Sequence, residues 1–426
     1  MSAVPPERLI AAEMLAVWPD RSAMVERISG LLYGWRSRRT VRATGLVERA
    51  MTGWQRPYPP AEKDLAALVA EASPLLLRDH VALDSPGFAP LKPLVAAGLP
   101  RIDGTAGLAE WLNLSDAELH WFADCDGRLA RGQGHRLGHY SQIWLRKRSG
   151  GRRLVEAPLP RLKALQRRIL HDILDRVPAH ANAFGFVAGR NCVQAAARHA
   201  GEAVVLRCDL KDYFASVRAS RVHAVFRCLG YTHPVARLLT GLVTVRTPPD
   251  CLATLPASDR GAWRQPHLPQ GAPTSPALAN LSSRGMDIRL TALARSWQAN
   301  YSRYADDMVF SGGRHLADPG LFEAIERIVR DCAFRLNPGK TRLMRQGRRQ
   351  QVTGVVVNRH LNLPRDQYDT LKAILNNCMR HGPSTQNRAG HPNLRAHLEG
   401  RIQWAETLNP HRGLKLRAIF DRIAWG

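Results

Sequence analysis

The chain contains 426 residues, and 45% of them are apolar. This length and composition allow two or three domains with packed cores and exclude a generally disordered chain. The formal net charge is +25, from 61 Lys and Arg against 36 Asp and Glu. A protein this basic usually binds a polyanion, most often nucleic acid; a cationic surface that serves only solubility is the alternative.

The basic residues are clustered, which favours contact with a phosphate backbone over a role in solubility. Residues 131–168 contain eleven Lys or Arg and a single acid, Glu156. Residues 340–365 contain seven Lys or Arg and no acid. Clusters of this kind can follow a nucleic acid strand, with an affinity that falls steeply as salt rises.

The cysteines and the apolar runs indicate a cellular compartment. None of the seven cysteines forms a C-x-x-C pair, which argues against a zinc site or a disulfide framework. Reduced thiols in the cytoplasm are the natural interpretation. No apolar run approaches the length of a membrane span and the N-terminus lacks a signal-peptide pattern, so we expect a cytoplasmic protein without a membrane partner.

The first part of the chain, residues 1–107, is predicted to be a helical N-terminal extension. Apolar residues recur at helical spacing around Met14, Ile28 and Leu65. Proline-rich joints, such as the one from Pro57 to Pro60, interrupt these stretches. Nothing in this region suggests a catalytic site.

A basic hairpin and a basic helix are expected next. Residues 143–155 favour two short strands around a Ser-Gly-Gly turn, with Lys and Arg near the tip. Such a mobile cationic tip suits closure over a nucleotide triphosphate. The following helix has Leu162, Leu165 and Ile169 on one side, whereas Arg167 and Arg168 fall mainly elsewhere and are free to meet phosphates.

Three aspartates form the most informative pattern. Residues 203–209 are predicted to be a buried strand that ends in Asp209, and Asp306 and Asp307 lie between two β-favouring runs, as at the tip of a tight hairpin. Adjacent carboxylates repel each other, and a fold tolerates them mainly when a cation binds there. Three such carboxylates can hold two Mg²⁺ ions, which drive in-line attack on a phosphate. An exposed Asp-Asp turn is the alternative.

The remaining segments complete an α+β pattern. Residues 270–276 are predicted to form a turn of small residues, which lets the backbone approach a ligand closely, and a helix follows. Residues 321–332 predict an amphipathic helix, and 351–358 a strand that bends at Thr353-Gly354. The last sixty residues are helical and basic. Strand, helix, hairpin, helix and strand in this order predict a palm in which two acidic elements meet.

In order, these blocks resemble the reverse transcriptases over residues 108–426. The motifs are Phe184–Arg190 (FGFVAGR), Asp209–Phe214 (DLKDYF), Gln270–Pro276 (QGAPTSP) and Tyr304–Asp307 (YADD). Val352-Thr353-Gly354 and the C-terminal tail are similar to those of the bacterial retron reverse transcriptases. The Asn-Ala-x-x-His motif that many retron enzymes carry is not found, and residues 216–269 have their own sequence.

The resemblance implies a right-hand polymerase fold. Fingers and palm, an antiparallel sheet plus helices, are expected over residues 108–365. A helical basic thumb is expected over residues 366–426, and the helical extension precedes both.

The resemblance also implies roles for individual residues. Asp209, Asp306 and Asp307 are the expected catalytic residues and metal ligands; Asp209 and Asp306 are better suited to spanning both metals, and Asp307 to coordinating less directly. The implied nucleotide-binding residues are Lys147, Arg153, Phe214, Gln270, Gly271 and Lys340, with Arg148 and Arg152 or plain solvation as the alternatives for the first two. The implied nucleic-acid contacts are Arg190, Tyr304, Arg167, Arg168, Thr353 and Gly354.

For some of these residues a plain structural role remains open. Phe214 is expected to read the sugar, with an ordinary core Phe as the alternative. Lys340 is expected near the pyrophosphate as a general acid, or else as a surface lysine. Arg190 is a template or primer contact or, alternatively, an arginine that caps a loop.

The implied activity is RNA-directed DNA synthesis of retron type with two Mg²⁺ ions, Mn²⁺ being the other candidate ion. Such enzymes copy a partner noncoding RNA into branched multicopy single-stranded DNA, prime from a guanosine 2′-hydroxyl, and act against phage. The expected partners are that RNA, its DNA product, deoxynucleoside triphosphates and a separate effector protein. The alternatives are a group II intron-type or stand-alone defence reverse transcriptase, or an RNA-binding protein that does not polymerise.

Overall fold

The structure is a computed structural model that describes residues 6–31, 39–54, 59–72, 88–125, 127, 138–146, 150, 152–255 and 260–425. None of the helices in these ranges has the length and apolarity needed to cross a bilayer.

Helices dominate the described chain, and the strands are short. The helices are α1 (Pro6–Ala16), α2 (Arg21–Leu31), α3 (Arg39–Thr52), α4 (Glu62–Ala72), α5 (Thr105–Leu112), α6 (Asp116–Ala123), α7 (Pro160–Asp172), α8 (Cys192–Ala197), α9 (Tyr213–Ser216), α10 (Ala219–Cys228), α11 (His233–Val243), α12 (Pro249–Ala253), α13 (Arg260–Trp263), α14 (Ser275–Ser282), α15 (Arg284–Ser296), α16 (Pro319–Asp331), α17 (Arg365–His381), α18 (Leu394–Leu408) and α19 (Pro410–Phe420). The strands are β1 (Tyr140–Arg146), β2 (Arg152–Pro158), β3 (Val204–Asp209), β4 (Asn300–Tyr304), β5 (Asp307–Gly312), β6 (Arg342–Arg345), β7 (Gln351–Val352) and β8 (Val355–Val356).

The chain divides into two compact units. The first contains Met1–Pro178 and Phe214–Ser282, and the second contains Ala179–Tyr213 and Ser283–Gly426. The boundaries predicted at residues 107 and 365 follow a different division, and they stay predictions.

In the first unit, helices α1 to α4 enclose an apolar core of their own. Met14, Met24, Ile28, Leu46 and Leu65 are fully buried in it. These residues recur at the helical spacing that predicted an N-terminal helical region. The bundle is joined to α10, because the guanidinium of Arg27 donates to the Arg227 carbonyl at 3.2 Å.

The hairpin β1–β2 of the first unit is antiparallel, with Arg146 opposite Arg152. Helix α7 follows it and buries Leu162, Leu165 and Ile169, as their spacing predicts.

The second unit is built on a four-stranded antiparallel sheet of order β4-β5-β3-β6. Val205 and Leu206 of β3 and Phe310 of β5 are buried, because helices cover the sheet. Helices α8 and α15 contact β4, and the amphipathic α16 packs against α15 through the buried face of Leu321 and Ile325. The sheet is therefore a rigid central element of this unit.

Three helices, α17 to α19, complete the second unit. Leu371, Leu375, Ile402 and Leu416 are among the residues of their shared core. Asn393 and Asn409 begin α18 and α19 by accepting hydrogen bonds from Ala396 N and Arg412 N, at 2.9 and 3.1 Å. Asparagine at this position satisfies backbone donors that a helix start leaves unpaired.

A fully buried ion pair supports the tight turn between β4 and β5. The Arg303 guanidinium on β4 donates to both carboxylate oxygens of Asp287 on α15, at 2.8 and 2.6 Å. Its third nitrogen donates to the Ala305 carbonyl in the turn at 3.0 Å and to the Tyr213 hydroxyl at 2.8 Å. Tyr301 donates to Asp287 at 2.8 Å. Helix and turn are thus held in one geometry by charge-assisted hydrogen bonds.

Gly185 allows a second segment to pack directly on the same turn. A Cβ atom at Gly185 would lie 2.5 Å from the Ala305 nitrogen and 3.1 Å from the Tyr304 carbonyl carbon. The neighbouring Phe184 N donates to the Arg303 carbonyl at 2.8 Å. Only a residue without a side chain fits this contact between two backbones.

We expect Gly185→Ala to destabilise the protein by about 1–3 kcal/mol, the usual cost of overpacking, because backbone must move to admit the methyl group. The free energy of unfolding in urea measures this effect. The matched control is Gly285→Ala in α15, where a Cβ meets nothing within 4 Å. Equal stability of the two variants would contradict the close approach.

Asp287→Asn is expected to cost about 3–5 kcal/mol, because it leaves the buried Arg303 charge without its counter-charge. The control is Asp331→Asn, which breaks the Arg289–Asp331 pair at 2.7 Å, whose side chains are about 45% exposed. An exposed pair contributes less than about 1 kcal/mol. Urea unfolding of the two variants side by side compares these costs, and a small loss for Asp287→Asn would refute a supporting role.

Candidate active site

The sheet brings the three sequence-predicted aspartates to one edge. Asp209, the last residue of β3, stands directly opposite Asp307, the first residue of β5. Opposite residues in an antiparallel pair have Cβ atoms about 4.5–5.5 Å apart. Asp306 lies in the turn before β5, and its carbonyl accepts a hydrogen bond from Leu210 N at 2.9 Å. The turn is therefore tied to the end of β3.

Two cations engage the outer carboxylates of this group. Arg207 of β3 makes a bidentate contact with Asp307, at 3.0 Å from Nε and 2.7 Å from Nη2. Lys340 Nζ lies 2.9 Å from Asp209 Oδ1, and Asn337 Nδ2 donates to the other oxygen at 3.3 Å. Positive charge near two of the three carboxylates reduces their mutual repulsion.

Of the three carboxylates, Asp306 is the one whose ionised form is disfavoured by its surroundings. Burial raises the pKa of its carboxyl group, and the negative charges of Asp209 and Asp307 raise that pKa further. Asp209 itself is only 3% exposed. A buried carboxylate beside two others is an environment that a divalent cation would stabilise.

The donor set fits a divalent metal ion, although among the described residues no group of three or more His, Cys, Asp or Glu side chains is arranged as a ready metal site. Carboxylate oxygens are the ligands that Mg²⁺ prefers in proteins. The Lys340 side chain is 56% exposed, so it can move away from Asp209. Asp209 and Asp306 are the residues that would hold the metal.

Four of the predicted nucleotide-binding residues lie in the first unit, and Lys147 lies outside the described residues. Arg153 is exposed on β2, and Phe214 is half-buried at the start of α9. The Gln270 carbonyl accepts a hydrogen bond from Glu156 N of β2 at 2.9 Å. Gly271 has a φ of +135°, and a Cβ there would lie 3.1 Å from the Glu156 carbonyl oxygen. The backbone of this turn thus lies close to β2, and the approach to a ligand expected from its small residues stays a prediction.

Buried polar contacts fix the strand on which that turn rests. The Glu156 carboxylate accepts from Thr247 Oγ1 at 2.8 Å and lies 3.1 Å from His267 Nε2. All three residues are buried. Arg153 and the Gln270-Gly271 turn therefore share one rigid frame within the first unit.

The predicted nucleic-acid contacts have mixed surroundings. One Arg190 nitrogen donates to the carbonyls of His180, Ala181 and Ala183, at 2.7, 3.2 and 2.6 Å, which are the contacts of a loop-capping arginine. Thr353 Oγ1 donates to the Cys192 carbonyl at 3.0 Å. Gly354 has a φ of +89°. Tyr304 is half-buried, and Arg167 is exposed.

Arg168 also lies on the exposed side of α7. It approaches Asp172 at 3.6 Å, and its guanidinium lies 5.0 Å from the Trp111 ring centroid. The nucleic-acid roles of all these residues stay predictions.

The sequence motifs did not reveal the residues that support the carboxylates. Arg207 and Arg303 lie within strands that contain predicted site residues, and Asp287 lies among the apolar positions of α15, next to Met286. A charged residue at a buried position of a helix or strand is the signal, because such residues are rarely buried unless paired. The partner of each, however, is not adjacent in sequence.

Comparison with known proteins agrees with the motifs. The model of the family "Reverse transcriptase (RNA-dependent DNA polymerase)" matches residues 145–357, half of the chain. The retron Mx65 reverse transcriptase of Myxococcus xanthus is 41% identical over 286 residues, which cover 66% of this chain and 64% of that protein. The retron Mx162 reverse transcriptase of the same organism is 35% identical over 310 residues, covering 69% and 62%.

The chain therefore aligns with somewhat under two thirds of the length of these two relatives. Among solved structures, telomerase from Candida albicans in complex with a telomeric RNA fragment aligns with 96% of this chain and 80% of that chain, at 8% identity and a TM-score of 0.40. The family match shows that this chain belongs to the reverse transcriptases, and it confirms both the resemblance to retron enzymes and the α+β polymerase fold expected from the motifs.

Proposed function

We propose that this protein is an RNA-directed DNA polymerase of retron type. The observation that supports this function is the pairing of β3 with β5, which sets Asp209 opposite Asp307 and ties the Asp306 turn to the end of β3. Similarity to two retron reverse transcriptases supports the type. A protein that only bound RNA would have no need for three carboxylates at one sheet edge, where their repulsion is costly.

In the proposed reaction Asp209 and Asp306 would hold two Mg²⁺ ions, and Asp307 would contribute less directly because Arg207 engages it. Bound there, the metal would supply activation of the primer hydroxyl and stabilisation of the departing pyrophosphate. Lys340, already at the Asp209 carboxylate, is the proposed proton donor to pyrophosphate. Divalent metal dependence follows from the family, and the choice of Mg²⁺ is part of the proposal.

The incoming deoxynucleotide is proposed to meet the residues of the first unit. Arg153 and Lys147 bind the triphosphate through charge-assisted contacts. Gln270 and Gly271 border the nucleotide on the frame provided by β2, and the Phe214 ring excludes a ribose 2′-hydroxyl. Rigid placement of Arg153 and Gln270 on one frame favours a single orientation of the substrate.

The partners are proposed from the relatives and from charge. A structured noncoding RNA is copied into branched single-stranded DNA from a guanosine 2′-hydroxyl, and a separate effector acts with the product in defence against phage. The net charge of +25 suits such polyanions. None of the seven cysteines, which all lie in the described ranges, forms a disulfide, and the proposed compartment is the reducing cytoplasm.

We expect Asp306→Asn to abolish primer extension on a homopolymer RNA template with Mg²⁺, while RNA affinity stays at the wild-type level. The control is Glu326→Gln, an exposed carboxylate on α16. Primer extension by Asp306→Asn at the wild-type rate would refute the assignment. A wild-type protein that binds RNA and never extends a primer would favour the RNA-binding alternative.

The same variant is expected to melt at a higher temperature than the wild type at neutral pH. The raised pKa means that the folded state disfavours the ionised Asp306, so the wild type loses stability as pH rises above the ordinary value of 3.8. The gain of the variant should shrink as pH falls toward that value. Added Mg²⁺ should raise the melting temperature of the wild type more than that of the variant.

Phe214→Ala is expected to weaken discrimination against ribonucleotides by about 10- to 200-fold, the range for excluding one small group from a pocket. Single-nucleotide incorporation of dNTP and rNTP, compared as kcat/KM ratios, measures this. Phe322→Ala on α16 removes a partly buried ring elsewhere and serves as the control. Unchanged sugar selectivity would leave Phe214 as an ordinary packing residue.

A further inference from the structure

A groove lies between α17 and α18, and its lining contains more polar and aromatic side chains than an ordinary apolar helix–helix contact. Its volume is about 340 Å³, and its floor is formed by Leu363 and Leu371. Its rim is polar and aromatic, and consists of Gln367 from α17 with His397, Arg401 and Trp404 from α18. A volume of this size lies within the range of about 300–1,000 Å³ typical of small-ligand sites.

The rim residues of α18 lie on a different face of the helix from the residues that are buried in the core. His397, Gly400, Arg401 and Trp404 recur at positions i, i+3, i+4 and i+7, which place them on one face of the helix. The core stripe of α18, which includes Leu398 and Ile402, lies beside it and is buried. The groove stripe is therefore not required for the core of this helical region.

Arg401 is the most informative side chain of the groove. Burial lowers the pKa of its guanidinium. Within the described part of the chain it has no hydrogen-bond or ion-pair partner, whereas Arg417 on the neighbouring α19 pairs with Glu406 at 3.0 Å. A partly desolvated guanidinium without an acceptor is costly, and an anionic ligand would remove that cost.

Aromatic surface is available beside this cation. Trp404 is 37% exposed, which is unusual for a large apolar ring. The His397 ring stacks on His391, with centroids 3.9 Å apart and planes inclined by 15°. Exposed aromatic rings next to arginine are the means by which proteins bind unpaired nucleobases.

We propose that this groove binds one unpaired nucleotide of the partner RNA, with its base stacked on Trp404 and its phosphate bound by Arg401. The proposal rests on the proposed function, because it takes RNA as the partner. The Gln367 amide, which both donates and accepts hydrogen bonds, faces the same groove and can pair with a base edge. Charge supports an anionic occupant over a basic one, since residues 365–426 contain ten Lys and Arg against five Asp and Glu. The exposed Trp404 ring beside Arg401 favours a nucleotide as that anion.

The test uses the full chain with fluorescein-labelled single-stranded oligouridine RNA and a duplex RNA of equal length, measured by fluorescence anisotropy. Trp404→Ala is expected to weaken single-strand binding by about 5- to 100-fold, as for the loss of one base–aromatic stack, and to leave duplex binding unchanged. Trp404→Phe should retain most of the affinity. Arg401→Gln should weaken binding and reduce its salt dependence by about one phosphate contact.

The control is Leu414→Ala on α19, whose side chain is 64% exposed and lies outside the groove. Should Trp404→Ala fold poorly by thermal melting, Gly400→Leu fills the groove instead, because a Cβ at Gly400 meets nothing within 4 Å. Oligouridine that contains 4-thiouridine should crosslink to the tryptic peptide of residues 402–412, which contains Trp404.

Equal losses for single strand and duplex, or wild-type binding by both Trp404→Ala and Gly400→Leu, would overturn the nucleotide site. Primer extension by the wild type is measured separately. If the wild type extends a primer and the groove variants bind normally, only this inference fails. If the wild type extends no primer, the proposed polymerase function fails, and the binding comparison still decides the groove.

Discussion

Repulsion among three carboxylates is the constraint on which the second unit depends. Asp209 and Asp307 are fixed opposite each other by the pairing of β3 with β5, and Asp306 follows in the turn. Nothing in a β-ladder favours this accumulation of negative charge, so the fold must hold it by other means. Arg207 and Lys340 offset part of the charge directly, through contacts at 2.7 and 2.9 Å.

Further support comes from the fully buried Arg303. Asp287 neutralises its charge, and its remaining donor reaches the Ala305 carbonyl inside the turn. Ala305 has a φ of +57°, in the left-handed region that disfavours residues with a side chain. The ion pair thus holds a locally unfavourable turn, and Gly185 lets a further backbone segment close against it.

The sequence predicted those elements that depend on residues close to one another along the chain. A short run of β-favouring residues predicted the buried strand β3, and the Asp-Asp pair between two such runs predicted the β4–β5 hairpin. The order of four motifs predicted the family, because each motif keeps its own spacing. The basic hairpin 143–155 was likewise visible as two short strands around a glycine turn.

What the sequence did not reveal are contacts between distant residues. Asp287 and Arg303 are 16 residues apart, and no pattern in the sequence indicates that they form an ion pair. Arg190 was open between a nucleic-acid contact and a loop cap, and its three carbonyl contacts are those of a cap. The small residues of the Gln270-Gly271 turn predicted a close approach to a ligand, whereas the close contact of this turn with β2 is visible only in the fold.

Basic side chains near the sheet form ion pairs with carboxylates, whereas Arg401 among the C-terminal helices does not in the described part of the chain. This difference indicates that the two groups of cations have different roles. Near the sheet edge, Arg207, Arg303 and Lys340 each engage a carboxylate, so their charge serves the geometry of the site. In the groove between α17 and α18, Arg401 has no such partner in the part of the chain that the structure describes. A cation paired within the protein adds little to the attraction of a polyanion, whereas an unpaired one beside an exposed ring adds both charge and a stacking surface. The residues that carry out the proposed selection of an RNA are therefore better sought in the C-terminal helices than around the carboxylates.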